Sequence, residues 1–275
     1  MIRLVDSVND PGKGRNSEDR IGCDPRRGLA WVIDGATDVC ATRLFPDAPT
    51  DAFWFAEQAD RLLRHTGGGT PLDMAAALIQ GLREAVERQT ESPVSAIPPG
   101  DMPSAALTVT RWNRASGTLS FGGFPDCTTL VRRPGADAIA IPKPVSDKDE
   151  QAQARRLLSD GSDINATLRR QRARMNRPDG YWVLSVHAEA VVGLNTHETS
   201  AEPGTRVLLC TDGFYRLVEM YGLYDDAGLF EAAENEGLSA LIDRLRGFEA
   251  DAADDIRFGR FKTSDDAAAL LVELT

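Results

Sequence analysis

Two strongly apolar runs in this chain of 275 residues end in the same way, with an aspartate followed by a glycine. Leu29–Ile33 ends at Asp34, and Val207–Thr211 ends at Asp212. Short, nearly continuous apolar runs are typical of strands buried on both faces. A carboxylate at the end of such a strand is costly unless it is paired or bound to a cation. The glycine that follows allows a close backbone approach, which also makes its carbonyl available as a ligand.

Two further acidic points lie beside apolar segments. Asp265 and Asp266 directly precede Ala267–Val272, and Glu18 and Asp19 precede another short apolar stretch. Any one of these carboxylates is consistent with a turn or a helix cap. The coincidence of four such points, with no histidine among them, favours a site for a hard cation. Oxygen ligands of this kind suit Mg²⁺ or Mn²⁺ better than zinc.

The patterning along the chain predicts an α+β fold. Strands occur in runs and helices in pairs, which is typical of a sandwich in which helices cover sheets. The predicted strands are Ile2–Val8, Gly28–Asp34, Ala105–Trp112, Thr118–Phe121, Cys127–Val131, Tyr181–Ser185, Val191–Leu194, Thr205–Thr211 and Ala267–Leu274. The predicted helices cover Thr50–His65, a segment that begins at Thr70-Pro71, and most of Leu223–Glu249. We expect one domain over residues 1–275, with a variable polar insertion around residues 146–178.

Composition excludes several classes of function. A net charge of −11 argues against nucleic acid or an anionic membrane as the main partner, because both require clustered positive charge. The four cysteines are scattered and form no C-x-x-C pair, so neither a disulfide framework nor a thiolate zinc site is expected. Charged residues interrupt the first segment and the apolar stretches are short, so we expect no secretory or membrane segment and a cytoplasmic location.

Five short motifs occur in an order that resembles a known family. They are Asn16-Ser17-Glu18-Asp19-Arg20, Val32-Ile33-Asp34-Gly35, Pro103-Ser104-Ala105-Ala106, Leu209-Cys210-Thr211-Asp212-Gly213-Phe214 and Thr263-Ser264-Asp265-Asp266. Together they resemble the metal-dependent protein serine/threonine phosphatases of the type 2C class, in register over residues 6–274. The resemblance implies a four-layer αββα sandwich, in which two central antiparallel sheets are flanked by helix pairs.

The resemblance also implies two Mn²⁺ or Mg²⁺ ions at one end of the sandwich. Carried over position by position, the metal ligands are Glu18, Asp34, the Gly35 carbonyl, Asp212 and Asp265, and the further catalytic residues are Asp19 and Arg15. Asp34 would bridge the ions, Asp19 would position water, and Arg15 would bind phosphate. Two cations about 3.5–4 Å apart lower the pKa of a shared water and stabilise phosphoryl oxygens.

Several positions depart from the family's pattern. Ala36 follows Gly35 where further glycines are usual, and Asp266 replaces an asparagine. A third metal ion would use Asp126 together with an acidic residue four places after Asp212, but that position holds Arg216. Asp126 is therefore a candidate third-metal ligand whose partner is missing.

A cluster of arginines falls where the family has a variable flap beside the active site. Arg169, Arg170 and Arg172 are candidates for docking a phosphorylated substrate, although a solvated helix face explains the same pattern.

The function predicted from these residues is metal-dependent hydrolysis of phosphoserine and phosphothreonine in proteins, with a phosphorylated protein as the partner. Two alternatives remain open. One is a catalytically degenerate module that binds phosphoprotein or regulates a partner, and the other is a phosphomonoesterase for a small metabolite.

Overall fold

The computed structural model describes residues 1–14, 16–39, 42–141, 164–251 and 264–275. These residues form ten strands and six α-helices. The strands are β1 (Ile2–Asp10), β2 (Arg20–Asp24), β3 (Leu29–Gly35), β4 (Ala105–Asn113), β5 (Thr118–Phe124), β6 (Thr128–Arg132), β7 (Ile139–Ala140), β8 (Asn195–Ser200), β9 (Arg206–Cys210) and β10 (Ala267–Leu274). The helices are α1 (Asp51–His65), α2 (Pro71–Thr90), α3 (Ile164–Arg172), α4 (Asp212–Tyr215), α5 (Asp226–Asn235) and α6 (Leu238–Asp251).

The strands make two antiparallel sheets of five strands each. One sheet has the order β1-β10-β9-β6-β7 and the other has the order β2-β3-β4-β5-β8. Every strand pairing in both sheets is antiparallel. This arrangement confirms the predicted α+β sandwich.

Alternation along the central strands explains why their sequences are apolar throughout. In β3, Ala30 and Val32 belong to the core between the two sheets, whereas Trp31 and Ile33 belong to the core beneath α1 and α2. β9 and β10 alternate in the same way between the inter-sheet core and the core beneath α5 and α6. Successive side chains of a strand point to opposite faces, so a strand covered on both faces must be apolar at every position.

Local capping fixes where the first helix pair begins. The Thr50 side chain accepts a hydrogen bond from the Phe53 N–H at the start of α1. Thr70 and Asp73 form a reciprocal capping box at the start of α2, with Pro71 in the first turn. These caps satisfy backbone N–H groups that have no partner inside the helix. None of the helices in the described ranges is long and apolar enough to cross a membrane.

Two predicted strands are wrong. Residues 181–185 make only isolated bridges, Leu184 with Ala105 and Tyr181 with Met175, because β5 already pairs with β4 from Leu107 onwards. Val191–Leu194 lies largely within a 3-10 helix, Ala188–Gly193. The strand that completes this sheet is the polar and mostly exposed β8, which hydrophobic patterning does not detect. Much of the predicted insertion lies outside the described residues, and its described part contains α3.

Candidate active site

The topology brings the acidic residues at the strand ends to one end of the sandwich. We call this group the carboxylate cluster; it comprises Glu18, Asp19, Asp34, Asp212, Asp265 and Asp266. The end of β9 and the start of β10 are adjacent because these strands are antiparallel neighbours, so Asp212 and Asp265 meet. In the other sheet, Arg20 at the start of β2 pairs with Ile33 near the end of β3, which brings Asp19 close to Asp34. The two sheets face each other, and the carboxylates of both therefore converge.

Asp19 is the buried member of this carboxylate cluster, with 1% of its surface exposed. The Thr211 hydroxyl donates to Asp19 Oδ2 at 2.8 Å, and the same hydroxyl oxygen accepts from the Ala268 N–H at 2.9 Å. The Asn9 side-chain amide donates to the Asp19 carbonyl at 3.0 Å. These bonds connect the start of β2 in one sheet to β9, β10 and β1 in the other and hold the Asp19 carboxylate in place.

Asp34 and Asp212 are hydrogen-bonded to each other through their carboxyl groups. Desolvation raises the pKa of Asp34 well above its usual value, and the charges of Asp19, Asp212 and Asp265 raise it further. Desolvation and the charge of Asp265 also raise the pKa of Asp212, while the charge of Arg216 lowers it. Two carboxyl groups in close contact can both be charged only when a cation lies between them, and without a cation they share a proton.

The pKa of Asp19 is raised for the same reasons. Desolvation by burial is the largest cause, and the Thr211 hydrogen bond opposes it. The charges of Asp266, Asp212 and Asp265 then raise the pKa of Asp19 further. The end of the sandwich is thus a region of concentrated negative charge that a cation would stabilise.

Two glycines allow the segments of the site to approach closely. A Cβ at Gly35 would lie 2.8 Å from the Glu18 carbonyl oxygen, and a Cβ at Gly213 would lie 1.8 Å from the Asp266 carbonyl oxygen. The Glu18 N–H in turn donates to Asp266 Oδ2 at 2.5 Å. The end of β3 is therefore packed backbone against backbone on the loop before β2, and the start of α4 is packed in the same way on the residue before β10, as the Asp-Gly pattern predicts.

Asp265 lies at the cluster, and its carboxylate contacts an arginine. Arg216 Nη2 donates to Asp265 Oδ2 at 2.7 Å. Arg246 Nη2 donates to the Asp265 carbonyl oxygen at 2.7 Å, which fixes the backbone of this residue. That Asp265 binds a metal ion stays a prediction.

The chemistry of the donor set fits a divalent cation at Asp34 and Asp212. Asp34 is half-buried and Asp212 is exposed, their carboxyl groups are close neighbours, and the ligands are oxygen only, as Mg²⁺ and Mn²⁺ prefer. Within the described residues, no three His, Cys, Asp or Glu side chains are arranged to enclose a metal ion. The residues thus fit the cation by donor chemistry, and the wider set of ligands stays a prediction.

Cys127 is a neighbour of the cluster to which sequence reasoning assigned no role. Burial raises the pKa of its thiol, and the charges of Asp34, Asp19, Asp126 and Asp212 raise it further. Its position directly after Asp126 is the signal that marks it. Asp126 itself is exposed at the turn between β5 and β6, and its role at a third metal stays a prediction.

The other predicted site residues lie in different surroundings. Arg15 falls outside the described residues. Arg169 forms an ion pair with Asp101 at 2.7 Å, whereas Arg170 is exposed. Arg172 is buried, and its Nη2 donates at 2.7 Å to the carbonyl of Thr37, just beyond the end of β3. Arg172 therefore anchors α3 to the segment that follows β3. Arg169 is partly exposed but paired with Asp101, and Arg170 presents an exposed side chain for docking.

Comparison with known proteins finds no matching family model and no matching curated protein. Solved structures do match. PppA of Pseudomonas aeruginosa, described as a key regulatory component of T6SS, has a TM-score of 0.59 at 17% identity, covering 98% of this chain and 96% of its own. The Mycobacterium tuberculosis serine/threonine phosphatase PstP/Ppp has a TM-score of 0.59 at 19% identity, covering 99% and 98%. A PstP catalytic domain in complex with two manganese ions has a TM-score of 0.57 at 17% identity, covering 99% and 97%.

These matches extend over nearly the whole of both chains, so they concern the complete sandwich. They show that this chain has the fold of serine/threonine protein phosphatases. The resemblance to the type 2C class, drawn from five short motifs, is confirmed at the level of the fold.

Proposed function

We propose that this protein is a metal-dependent phosphatase that hydrolyses phosphoserine and phosphothreonine in proteins. The observation that carries the proposal is the convergence of Asp34, Asp212 and Asp19 at one end of a phosphatase-like sandwich. The manganese ions in the similar PstP structure support the choice of cation.

Each carboxylate has a distinct task in this proposal. Asp34 and Asp212 would hold Mn²⁺ or Mg²⁺, with the Gly35 carbonyl and Glu18 as further ligands. Asp19, fixed by the hydrogen bond from Thr211, would accept a hydrogen bond from water at the site and orient it. A bound divalent cation lowers the pKa of water and neutralises phosphoryl oxygens. Arg15, which lies outside the described residues, is proposed to bind the substrate phosphate, and Asp126 would serve at an accessory metal position.

A phosphorylated protein is the substrate we propose. Arg170 carries an exposed guanidinium on α3, and α3 is attached through Arg172 to the segment that follows Asp34 and Gly35. A guanidinium beside the site suits phosphate or acidic side chains, which it binds through paired hydrogen bonds.

A regulatory or binding module is the second candidate. The ion pair between Arg216 and Asp265 favours it, because this arginine neutralises a carboxylate that the resemblance assigns to metal. The description of PppA as a regulatory component is consistent with such a role for a protein of this fold.

One set of assays separates the two candidates. Hydrolysis of p-nitrophenyl phosphate and of a phosphothreonine peptide is measured with Mn²⁺, with EDTA, and in Asp34→Asn. Asp179→Asn is the matched control, since Asp179 also precedes a glycine but is 73% exposed and pairs with Arg174. Metal-dependent turnover that is lost only in Asp34→Asn supports the phosphatase. Binding of Mn²⁺ without turnover of either substrate supports the regulatory module.

A further inference from the structure

Arg216 enters the carboxylate cluster from the helical turn that follows β9. Its backbone N–H donates to the Asp212 carbonyl at 2.9 Å, so the position of Arg216 is fixed relative to the metal-binding aspartate. Its side chain is only 10% exposed, and Nη2 lies 2.7 Å from Asp265 Oδ2. A guanidinium is charged at every accessible pH, and this one is directed into the cluster.

The contacts on the other side of Arg216 do not account for its burial. Nη1 is buried and has no hydrogen-bond partner among the described residues, and it lies 3.7 Å from Glu249 Oε1. Glu249 has a closer cation, because Arg246 Nη1 lies 2.7 Å from its Oε2. Burying a guanidinium with an unsatisfied nitrogen is costly, and the charges of Asp265 and Asp212 are the largest interactions that offset this cost.

A second divalent cation at Asp265 would meet this charge directly. The same carboxylate would have to bind both the guanidinium and the ion, and two positive groups on one partly buried carboxylate repel each other. Asp34 and Asp212 are placed differently, since within the described residues neither carboxylate forms an ion pair, and Arg216 pairs with Asp265 and Glu249 instead. The cluster therefore has two carboxylates that need a cation, Asp34 and Asp212, and one carboxylate, Asp265, that already has the Arg216 guanidinium as its cation.

We propose that Arg216 is a built-in cation that takes the place of one metal ion, so that the site binds a single divalent cation, at Asp34 and Asp212. Asp265 is then a partner of Arg216 rather than a metal ligand. This inference rests on the proposed function for the identity of the ion, and it replaces the expectation of two ions with one.

The test measures the number of Mn²⁺ ions bound per chain and does not depend on catalytic turnover. Full-length protein is titrated with Mn²⁺, and bound ions per chain are measured by calorimetry and by electron paramagnetic resonance. We expect one ion in the wild type and two in Arg216→Gln, with the spectrum of a coupled manganese pair in that variant. Arg216→Lys, which keeps the charge, should bind one ion.

The matched control is Arg206→Gln, which removes an arginine paired with Glu234 and Glu273 at the opposite end of β9 and should still bind one ion. Circular dichroism checks the fold of every variant. If Arg216→Gln does not fold, Asp265→Asn in the wild-type background decides the question. We expect its Mn²⁺ affinity to change less than threefold, whereas loss of a metal ligand would weaken binding by ten- to a hundredfold or more.

Two or more ions in the wild type, or one ion in a folded Arg216→Gln, would overturn the inference while leaving the phosphatase proposal intact. One ion in the wild type without hydrolysis of any phosphomonoester would overturn the phosphatase proposal and leave the inference standing. A wild type that binds no Mn²⁺ would overturn both.

Discussion

The Thr211 hydroxyl donates a hydrogen bond to Asp19 Oδ2 across 2.8 Å, although the two residues are 192 positions apart in the chain. Thr211 is the last residue of an apolar run in one sheet, and Asp19 directly precedes the first strand of the other sheet. This bond holds the two halves of the carboxylate cluster together and counteracts part of the cost of burying Asp19.

Removing this hydroxyl should destabilise the protein. Thr211→Val leaves the Asp19 carboxylate without its donor and the Ala268 N–H without an acceptor, and we expect a loss of about 2 kcal/mol in the free energy of unfolding. Urea unfolding measures the change. Thr211→Ser keeps the hydroxyl and should lose much less. Equal losses in the two variants would show that the hydrogen bond is unimportant for stability.

The close approach at Gly213 should tolerate no side chain. A Cβ there would lie 1.8 Å from the backbone oxygen of Asp266, which cannot move without displacing the start of β10. We expect Gly213→Ala to reduce the free energy of unfolding by about 3 kcal/mol or more.

Gly247→Ala is the control, measured in the same urea experiment, and we expect a change of opposite sign in the free energy of unfolding. Gly247 lies in α6 with open space around its Cα, so alanine should stabilise the protein by about 0.5–1 kcal/mol. A Gly213→Ala protein as stable as the wild type would contradict the backbone packing described for the site.

Stabilisation by Mn²⁺ should depend on pH with a defined sign. The folded-state pKa values of Asp19, Asp34 and Asp212 are raised, so without metal these groups stabilise the fold when protonated and lose that contribution as the pH rises. Mn²⁺ competes with these protons. We therefore expect the increase in Tm on adding Mn²⁺ to be larger at about pH 7.5 than at about pH 5.

The lowered pKa values of Asp24 and Asp73, which arise first from backbone hydrogen bonds, act in a lower range of pH and do not compete with this effect. Calorimetric scans with and without Mn²⁺ check the prediction. Asp34→Asn should show a smaller increase at both pH values. An increase in Tm that is independent of pH would mean that Mn²⁺ binds elsewhere.

Arg170 should matter for a phosphopeptide and not for a small substrate. We expect Arg170→Ala to raise KM for a phosphothreonine peptide severalfold and to leave p-nitrophenyl phosphate kinetics unchanged. Arg114→Ala is the control, because Arg114 is also exposed. It directly follows Asn113, the end of β4 that is remote from the site. If Arg170→Ala changes the kinetics of neither substrate, Arg170 is not part of the proposed docking surface.

Local pattern was sufficient for much of the fold. The unbroken apolar character of Leu29–Ile33 and Val207–Cys210 reflects strands covered on both faces, and the caps at Thr50 and Thr70 fixed where helices begin. Both signals arise between residues close in sequence. The edge strand β8 was missed because its exposed, polar side chains carry no such signal.

The sequence by itself determined that carboxylates stand at the ends of buried strands, because the cost of burying a charge makes such positions exceptional. Only the tertiary structure decided which of them meet. The Asp34 carboxyl group lies beside that of Asp212, the Thr211 hydroxyl donates a hydrogen bond to Asp19, and Arg216 forms an ion pair with Asp265. These contacts depend on the pairing of strands distant in the chain and on the stacking of two sheets, neither of which leaves a mark on any short stretch of sequence.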